Sequence, residues 1–426
     1  MDKHIFIEPL ARVEGHGGIE VYIENDMVKE VKFEIFEGPR LFEQLVVGKD
    51  PQEAVAIASR ICAICFVSHT LAEIRAIERA LDVKVGRKIH LLRKLAHYGE
   101  MIESHSLHYY LLALPDYFGY PDAIAMIRQF PDEVIGGLEL KKFGNKVMEI
   151  VAGRRIHGEN LQVGGIGKIP TDEELEWIKL RAMELIPTIE RGIQFWNEVD
   201  VPDYLEEETI FISVWPEDGT YDFRADTIYV STGETYAADD YQKALNERVV
   251  PHSFAKRCRY KGKPYSVGAL ARILNMRDRL DGLAADYFKK LYNERWHKNP
   301  HFNNIAQAIE ILYCLEHIPK LVDEIKATPL EDSTRGRDTG AGTGLVEAPR
   351  GLLIHHTEME NGRVKYADYL VPTAQNLDDA EKYMRNAVKN LLKQGVQDLE
   401  LPLEMIARAY DPCISCSVHL VKVIKK

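Results

Sequence analysis

Two Cys-x-x-Cys pairs constrain this chain more than any other feature. Cys62 and Cys65 stand in Arg-Ile-Cys-Ala-Ile-Cys near one end, and Cys413 and Cys416 in Asp-Pro-Cys-Ile-Ser-Cys-Ser-Val-His near the other. Two intervening residues let both sulfurs of a pair face one point across a single backbone turn. One pair alone can be a redox dithiol, half a zinc site or half an iron–sulfur cluster site. Two pairs take four of the six cysteines and make a complete soft-ligand shell. Zinc ribbons close over about 15–20 residues. Here almost the whole chain separates the pairs, so a shared site ties the two ends of a large fold together. On the residues alone, structural zinc and two unrelated buried pairs both stay open.

Composition narrows the class. With 426 residues, 46% hydrophobic and 28% charged, the chain reads as an ordinary globular protein, long enough for a large core and for two or three domains. A formal net charge of -12 argues against nucleic acid, whose phosphates would be repelled. No apolar run is long enough to span a bilayer, and Met-Asp-Lys-His opens straight into a strand-like run without a signal peptide. Six cysteines do not make a secreted disulfide scaffold, so reduced thiols in a cytoplasmic protein are expected.

Alternating Ile, Val, Phe and Tyr predict a small antiparallel sheet from residues 4–8, 18–24 and 28–36. Pro51 opens a helix that breaks around the first cysteine pair and resumes from Ser68 to Leu81. Further helices are expected at 87–113, 121–152 and 172–198, the last started by a Thr171/Glu174 capping box. Residues 199–265 alternate short strands with Pro, Gly and Asp turns and read as an inserted lobe of one domain spanning 1–426. Helices return at 268–293 and 301–327, a Gly-rich loop at 328–345, a hairpin at 350–358 and 363–371 turning at Asn361-Gly362, then helices at 377–393 and 401–409. The expected fold is a mostly helical α+β domain around a central helix bundle, with small antiparallel sheets. Gly340, Gly342 and Gly344 precede a strand rather than open a helix, and Gly167-Lys168 leads to Ile169 and Pro170, so neither makes a phosphate-binding loop.

Taken singly, the other polar motifs are ordinary. Arg12-Val13-Glu14-Gly15-His16 reads as a surface turn, His69 as a buried histidine, Arg350 as a surface charge, Glu43 as a solvated helix charge and Thr373 as a turn threonine. His105 and His108, one helical turn apart, are better explained by packing and hydrogen bonding than by metal binding, and Cys258 and Cys314 as buried thiols.

Taken together they resemble the large subunit of nickel–iron hydrogenases. The resemblance rests on Arg12 to His16, on Cys62-x-x-Cys65 with His69, on Gly342-Thr343-Gly344-Leu345-Val346-Glu347-Ala348-Pro349-Arg350-Gly351, and on Asp411-Pro412-Cys413-x-x-Cys416-x-x-His419. These four motifs occur in the family's order and cover essentially the whole chain. The resemblance implies that Cys62, Cys65, Cys413 and Cys416 hold nickel. Cys65 and Cys416 would also bridge to an iron carrying carbonyl and cyanide. It implies heterolytic cleavage of H2, with the proton passing to Cys413 and then to Glu14. His69 would stand beside the Cys416 sulfur, Arg350 would hang over the metals held by Asp411, and Thr373 would meet an iron cyanide. Glu43 and His419 would hold a structural magnesium or iron ion.

Two cysteines remain beyond the metal set, too few for a four-thiolate cluster. The resemblance therefore implies a small subunit carrying iron–sulfur clusters. The Cys-Ile-Ser-Cys-Ser-Val-His wording looks like the soluble NAD(P)-linked type, including archaeal sulfhydrogenases, in which FAD-containing diaphorase subunits meet NAD(P) and the complex can reduce sulfur. Maturation proteins and an endopeptidase would complete the site. That peptidase usually cuts just after the last motif histidine, yet Leu420 to Lys426 follow His419 here. A second departure is Ser104, where many relatives carry an acidic residue before the first helix histidine. Two alternatives are a quinone-site subunit like that of respiratory complex I, which generally lacks these cysteines, and a zinc-stabilised scaffold.

Overall fold

In the computed structural model, residues 3–25, 27–205 and 207–418 are described. Strands β1 (Lys3–Ile7), β2 (Gly17–Glu24) and β3 (Met27–Ile35) form the expected antiparallel meander, with Ile19, Val21 and Phe33 turned into the core. The short helix α1 (Phe42–Leu45) leads to α2 (Pro51–Ala58), whose start is fixed by proline in its first turn and by a capping box between Asp50 and Glu53. Helix α3 (Phe66–Leu81) begins directly after Cys65.

Four long helices then build the bundle: α4 (Arg87–Ser106), α5 (Pro131–Ala152), α6 (Asp172–Phe195) and α7 (Phe302–Ala327). Helix α4 packs on α5 and α7, and α6 packs on α5 and α7. Helix α4 does not run on as α-helix to residue 113. Leu107–Ala113 form a π-helical turn, a form that relocates side chains and recurs at functional sites. The expected helix at 121–152 is also split, into Ala123–Met126 and α5. Pro131 has no N–H to continue a helix and starts a new one instead.

Residues 199–265 contain a four-stranded sheet completed by Tyr265–Ser266 and a hairpin of Leu245–Val250 with Ser253–Tyr260.

The Gly-rich stretch is not a loop throughout. Gly340–Ala348 form strand β4, paired antiparallel with β5 (Gly351–Glu360), which pairs with β6 (Arg363–Leu370). Asn361 and Gly362, both at positive φ, make the expected turn. The correction has a packing cause. A Cβ on Gly340, Gly342 or Gly344 would stand 2.3, 2.4 or 2.2 Å from the carbonyl oxygens of Ala80, Ala76 and Ala72. Alternate residues of the strand thus lie bare against successive turns of α3, and only glycine permits that approach. The chain closes with α8 (Pro372–Lys393), α9 (Glu400–Ala409) and α10 (Ile414–Ser417).

Candidate metal centre

The two cysteine pairs meet. All four sulfurs lie within 4.8 Å of one another, and all four cysteines are buried and free of disulfides. Cys62 Sγ is 3.5 Å from Cys413 Sγ, and Cys65 Sγ is 3.6 Å from Cys416 Sγ. Sulfurs so spaced can share an ion at the roughly 2.3 Å usual for metal–thiolate bonds. Cys65 caps α3, and its N–H donates to Cys62 Sγ at 3.2 Å. Cys413 precedes α10 and forms a bridge with Glu14, sealed by Ile414 N–H donating to the Glu14 carbonyl at 2.9 Å.

The thiols cannot all ionise unaided. Hydrogen bonds from Cys413, Cys416 and Cys65 hold Cys62 well below the usual thiol range, while burial pushes Cys413 and Cys416 well above it. One thiolate is what the cage supports by itself; four need a cation among them. Burial and softness of the donors fit a thiolate-bound transition metal.

The remaining site residues are distributed around this cage. Glu14 accepts from Ser415 N–H at 3.1 Å and from the Ser415 hydroxyl, which puts its carboxylate over the turn between Cys413 and Cys416. Arg350 is the tip of the β4–β5 hairpin, since Ala348 pairs with Gly351. Its Nε donates to the Asp411 carbonyl at 2.7 Å, and Nη2 stands 3.1 Å from Asp411 Oδ1. Burial works against its charge. Asp411 and then the thiols of Cys413, Cys65 and Cys62 outweigh that and hold it firmly protonated. Its buried Nη1 has no protein partner among the described residues, an orphan donor on a guanidinium that faces these thiols electrostatically. Thr373 Oγ1 accepts from Cys413 N–H at 2.9 Å.

His69 sits one turn after Cys65 with Nδ1 3.1 Å from His355 Nε2. Glu43 is buried on α1 and lines a cavity of about 360 Å³ with Tyr241, Lys256, Tyr366 and Asp368. His419, its expected partner, lies outside the described residues. Val418, the last described residue, accepts at its carbonyl from Arg40 N–H at 3.1 Å, three residues before Glu43.

Several supports were not legible as site residues. Arg40 Nη2 donates to Ile61 O at 2.5 Å and also to Ser415 O, one guanidinium bridging both cysteine turns. Glu100 accepts from Val67 N–H at 2.5 Å and Ser68 N–H at 3.0 Å, pinning the start of α3; burial raises its pKa to about 8. His355 Nδ1 meets Glu73 Oε2 at 2.8 Å, extending the His69 contact into the core. In each case the partner is distant in sequence. The only advance signals were a lone polar residue in an apolar helix pattern, as at Glu73 and Glu100, and the position of His355 five residues after Arg350.

The sequence profile of the nickel-dependent hydrogenases matches residues 40–129 and 216–419, and a HoxL-like profile matches 4–37. The chain belongs to the nickel-dependent hydrogenase family. Over 98% of its length it is 40% identical to sulfhydrogenase 1 subunit alpha of Pyrococcus furiosus, of which 98% is covered. It is 41% identical to that organism's sulfhydrogenase 2 subunit alpha, covering 98% of this chain and 100% of the relative. An NAD+-reducing [NiFe]-hydrogenase in the H2-reduced state superposes with a TM-score of 0.90 at 31% identity, covering 98% of this chain and 99% of that one. The protein is therefore the catalytic large subunit of a nickel–iron hydrogenase, an oxidoreductase acting on hydrogen, and its four cysteines form a cluster able to hold a metal ion. Among the described residues no helix is long and apolar enough to cross a membrane.

Proposed function

We propose that this subunit cleaves H2 reversibly and heterolytically at the cysteine cage, with Cys413 receiving the proton and Glu14 carrying it away. A bound nickel–iron pair supplies the Lewis acidity that polarises H2 and the redox capacity for its electrons, with carbonyl and cyanide on the iron. Cys62, Cys65, Cys413 and Cys416 are the residues that would hold this pair. The Cys413 sulfur is the first base. Glu14 is the next station, because its carboxylate is fixed at Ser415, between the two terminal cysteines. Arg350, held by Asp411, keeps a positive charge over the anionic thiolates. Thr373 has its hydroxyl proton free to donate toward an iron ligand while its oxygen supports Cys413 N–H. His69 orders the surroundings of the bridging sulfurs. Glu43 and His419 hold a magnesium or iron ion.

The electrons leave through a small subunit with iron–sulfur clusters and flavin-bearing diaphorase subunits to NAD(P), with sulfur as a further acceptor of the complex. The names of the sulfhydrogenase and NAD+-reducing relatives support this assembly. Maturation proteins and an endopeptidase install the centre, and the complex works in the cytoplasm.

The observation that carries the reading is the meeting of two sulfur pairs 351 residues apart beneath one buried guanidinium. Infrared spectroscopy with metal analysis on the purified complex tests it. Nickel and iron together with carbonyl and cyanide bands are expected, and zinc alone would overturn it.

A further inference from the structure

His105 and His108 take no part in the cage, yet both are completely buried. The end of α4 and its π-helical turn set them opposite Gln307 and Glu310 of α7, so two polar rungs cross between the helices. On one rung, His108 Nδ1 lies 2.6 Å from Gln307 Oε1, Gln307 Nε2 donates to Asp411 Oδ2 at 3.0 Å, and Asp411 Oδ1 faces Arg350 Nη2 at 3.1 Å. On the other, His105 Nε2 lies 2.8 Å from Glu310 Oε2, and Glu310 takes two hydrogen bonds from Arg272, at 2.7 and 2.6 Å. Arg272 then donates to Ala348 O at 3.0 Å and Pro349 O at 3.2 Å, the two carbonyls just before Arg350. One rung therefore ends on the guanidinium and the other on the backbone that carries it.

The polarity of the first rung is fixed. His108 Nε2 faces the Arg408 carbonyl at 2.6 Å and donates to it. Turning the Gln307 amide over would set its oxygen against the Asp411 carboxylate, two acceptors face to face. The amide N–H accordingly stays on Asp411 Oδ2, which leaves Oδ1 for Arg350. On the second rung, burial alone would raise Glu310, but Arg272 holds its pKa near about 2, so that ion pair stays charged.

We propose that this two-rung brace sets the direction of the Arg350 guanidinium, with His108, Gln307, Glu310 and Arg272 as positioning residues for the hydrogen-cleaving site. The proposal rests on Arg350 serving the centre as a fixed cation. Gln307→Glu keeps the side-chain shape but puts a second carboxylate against Asp411, and Gln307→Leu removes the link. Both variants are made in the whole complex. They are read by crystal structure, by nickel and iron per chain, and by H2–D2O exchange. The expected result is wild-type metal content, a guanidinium turned away from Asp411 Oδ1, and exchange lower by about tenfold or more, as for outer partners of other metal sites. Arg350 unmoved on Asp411 in either variant overturns the brace, whether or not metals are lost. Arg350→Leu separates the two claims: undiminished exchange there sinks the role of Arg350 itself, while the crystal structures still judge the brace.

Discussion

Glu14 and Ser415 are joined twice, the backbone N–H and the hydroxyl of the serine both reaching the glutamate carboxylate. The N-terminal motif is thereby locked onto the turn that carries Cys413 and Cys416. Glu14→Gln keeps the shape and removes the proton-accepting oxygen. H2–D2O exchange should fall by about 10²–10⁴-fold, the usual worth of a positioned acid–base group, while nickel and iron content stay at wild-type levels. Unchanged exchange would remove Glu14 from the proton path.

Cys413→Ser replaces a soft donor by a hard one in a buried set of four. Nickel per chain should drop to background, with infrared bands of the iron ligands lost or shifted. A variant that keeps wild-type nickel would show that three sulfurs suffice.

Arg40 bridges Ile61 O and Ser415 O, so it holds the two cysteine turns at their mutual distance. Arg40→Met keeps much of the stem and removes the fork. Metal affinity should weaken by about 10–100-fold, as for other outer partners, read as faster nickel loss to a chelator. Equal loss rates in variant and parent would contradict the clamp.

Glu100 makes stability depend on pH. Its folded pKa is raised from 4.5 to about 8 by burial, so between these values the folded state binds the extra proton. Its contribution is complete below about pH 4.5 and disappears as pH rises through about 8, with a slope of about 1.4 kcal/mol per pH unit inside the window. Urea unfolding of metal-free wild type and Glu100→Gln from pH 5 to 8 should show the difference shrinking with that sign. A constant difference would mean Glu100 is ionised throughout.

Gly344→Ala would drive a Cβ to 2.2 Å from the Ala72 carbonyl, whereas a Cβ on Gly38 meets nothing within 4 Å. The first should cost about 1–3 kcal/mol or more as overpacking and lower Tm by several degrees, and Gly38→Ala should leave Tm in place. Equal Tm values for the pair would show that strand and helix slide apart freely.

What the sequence reveals here is what is chemically distinctive within a few residues. The Cys-x-x-Cys pairs and the Asn361-Gly362 turn could be read locally, whereas Glu14 and Arg350, ordinary when taken singly, stood out only through the resemblance of the four motifs together. Strand β4 was hidden because its glycines suit a loop equally well. Only the spacing of Ala72, Ala76 and Ala80, one helical turn apart and matched to glycines two apart, shows that two backbones touch. Glu100 and His355 were hidden because their partners lie on other elements, and a buried acid in an apolar pattern does not announce what it holds. His419 was legible as a motif residue and lies beyond the described chain.

The bare contact between β4 and α3 has a consequence for precision. Cys65 leads into that helix and Arg350 follows that strand. Their separation is thus gauged by peptide groups in direct touch, with no rotatable side chains between them to act as springs. Backbone packed directly on backbone leaves no side-chain rotamers to vary the spacing of the two main-chain ends, so the freedom that remains lies in the Cys65 and Arg350 side chains themselves.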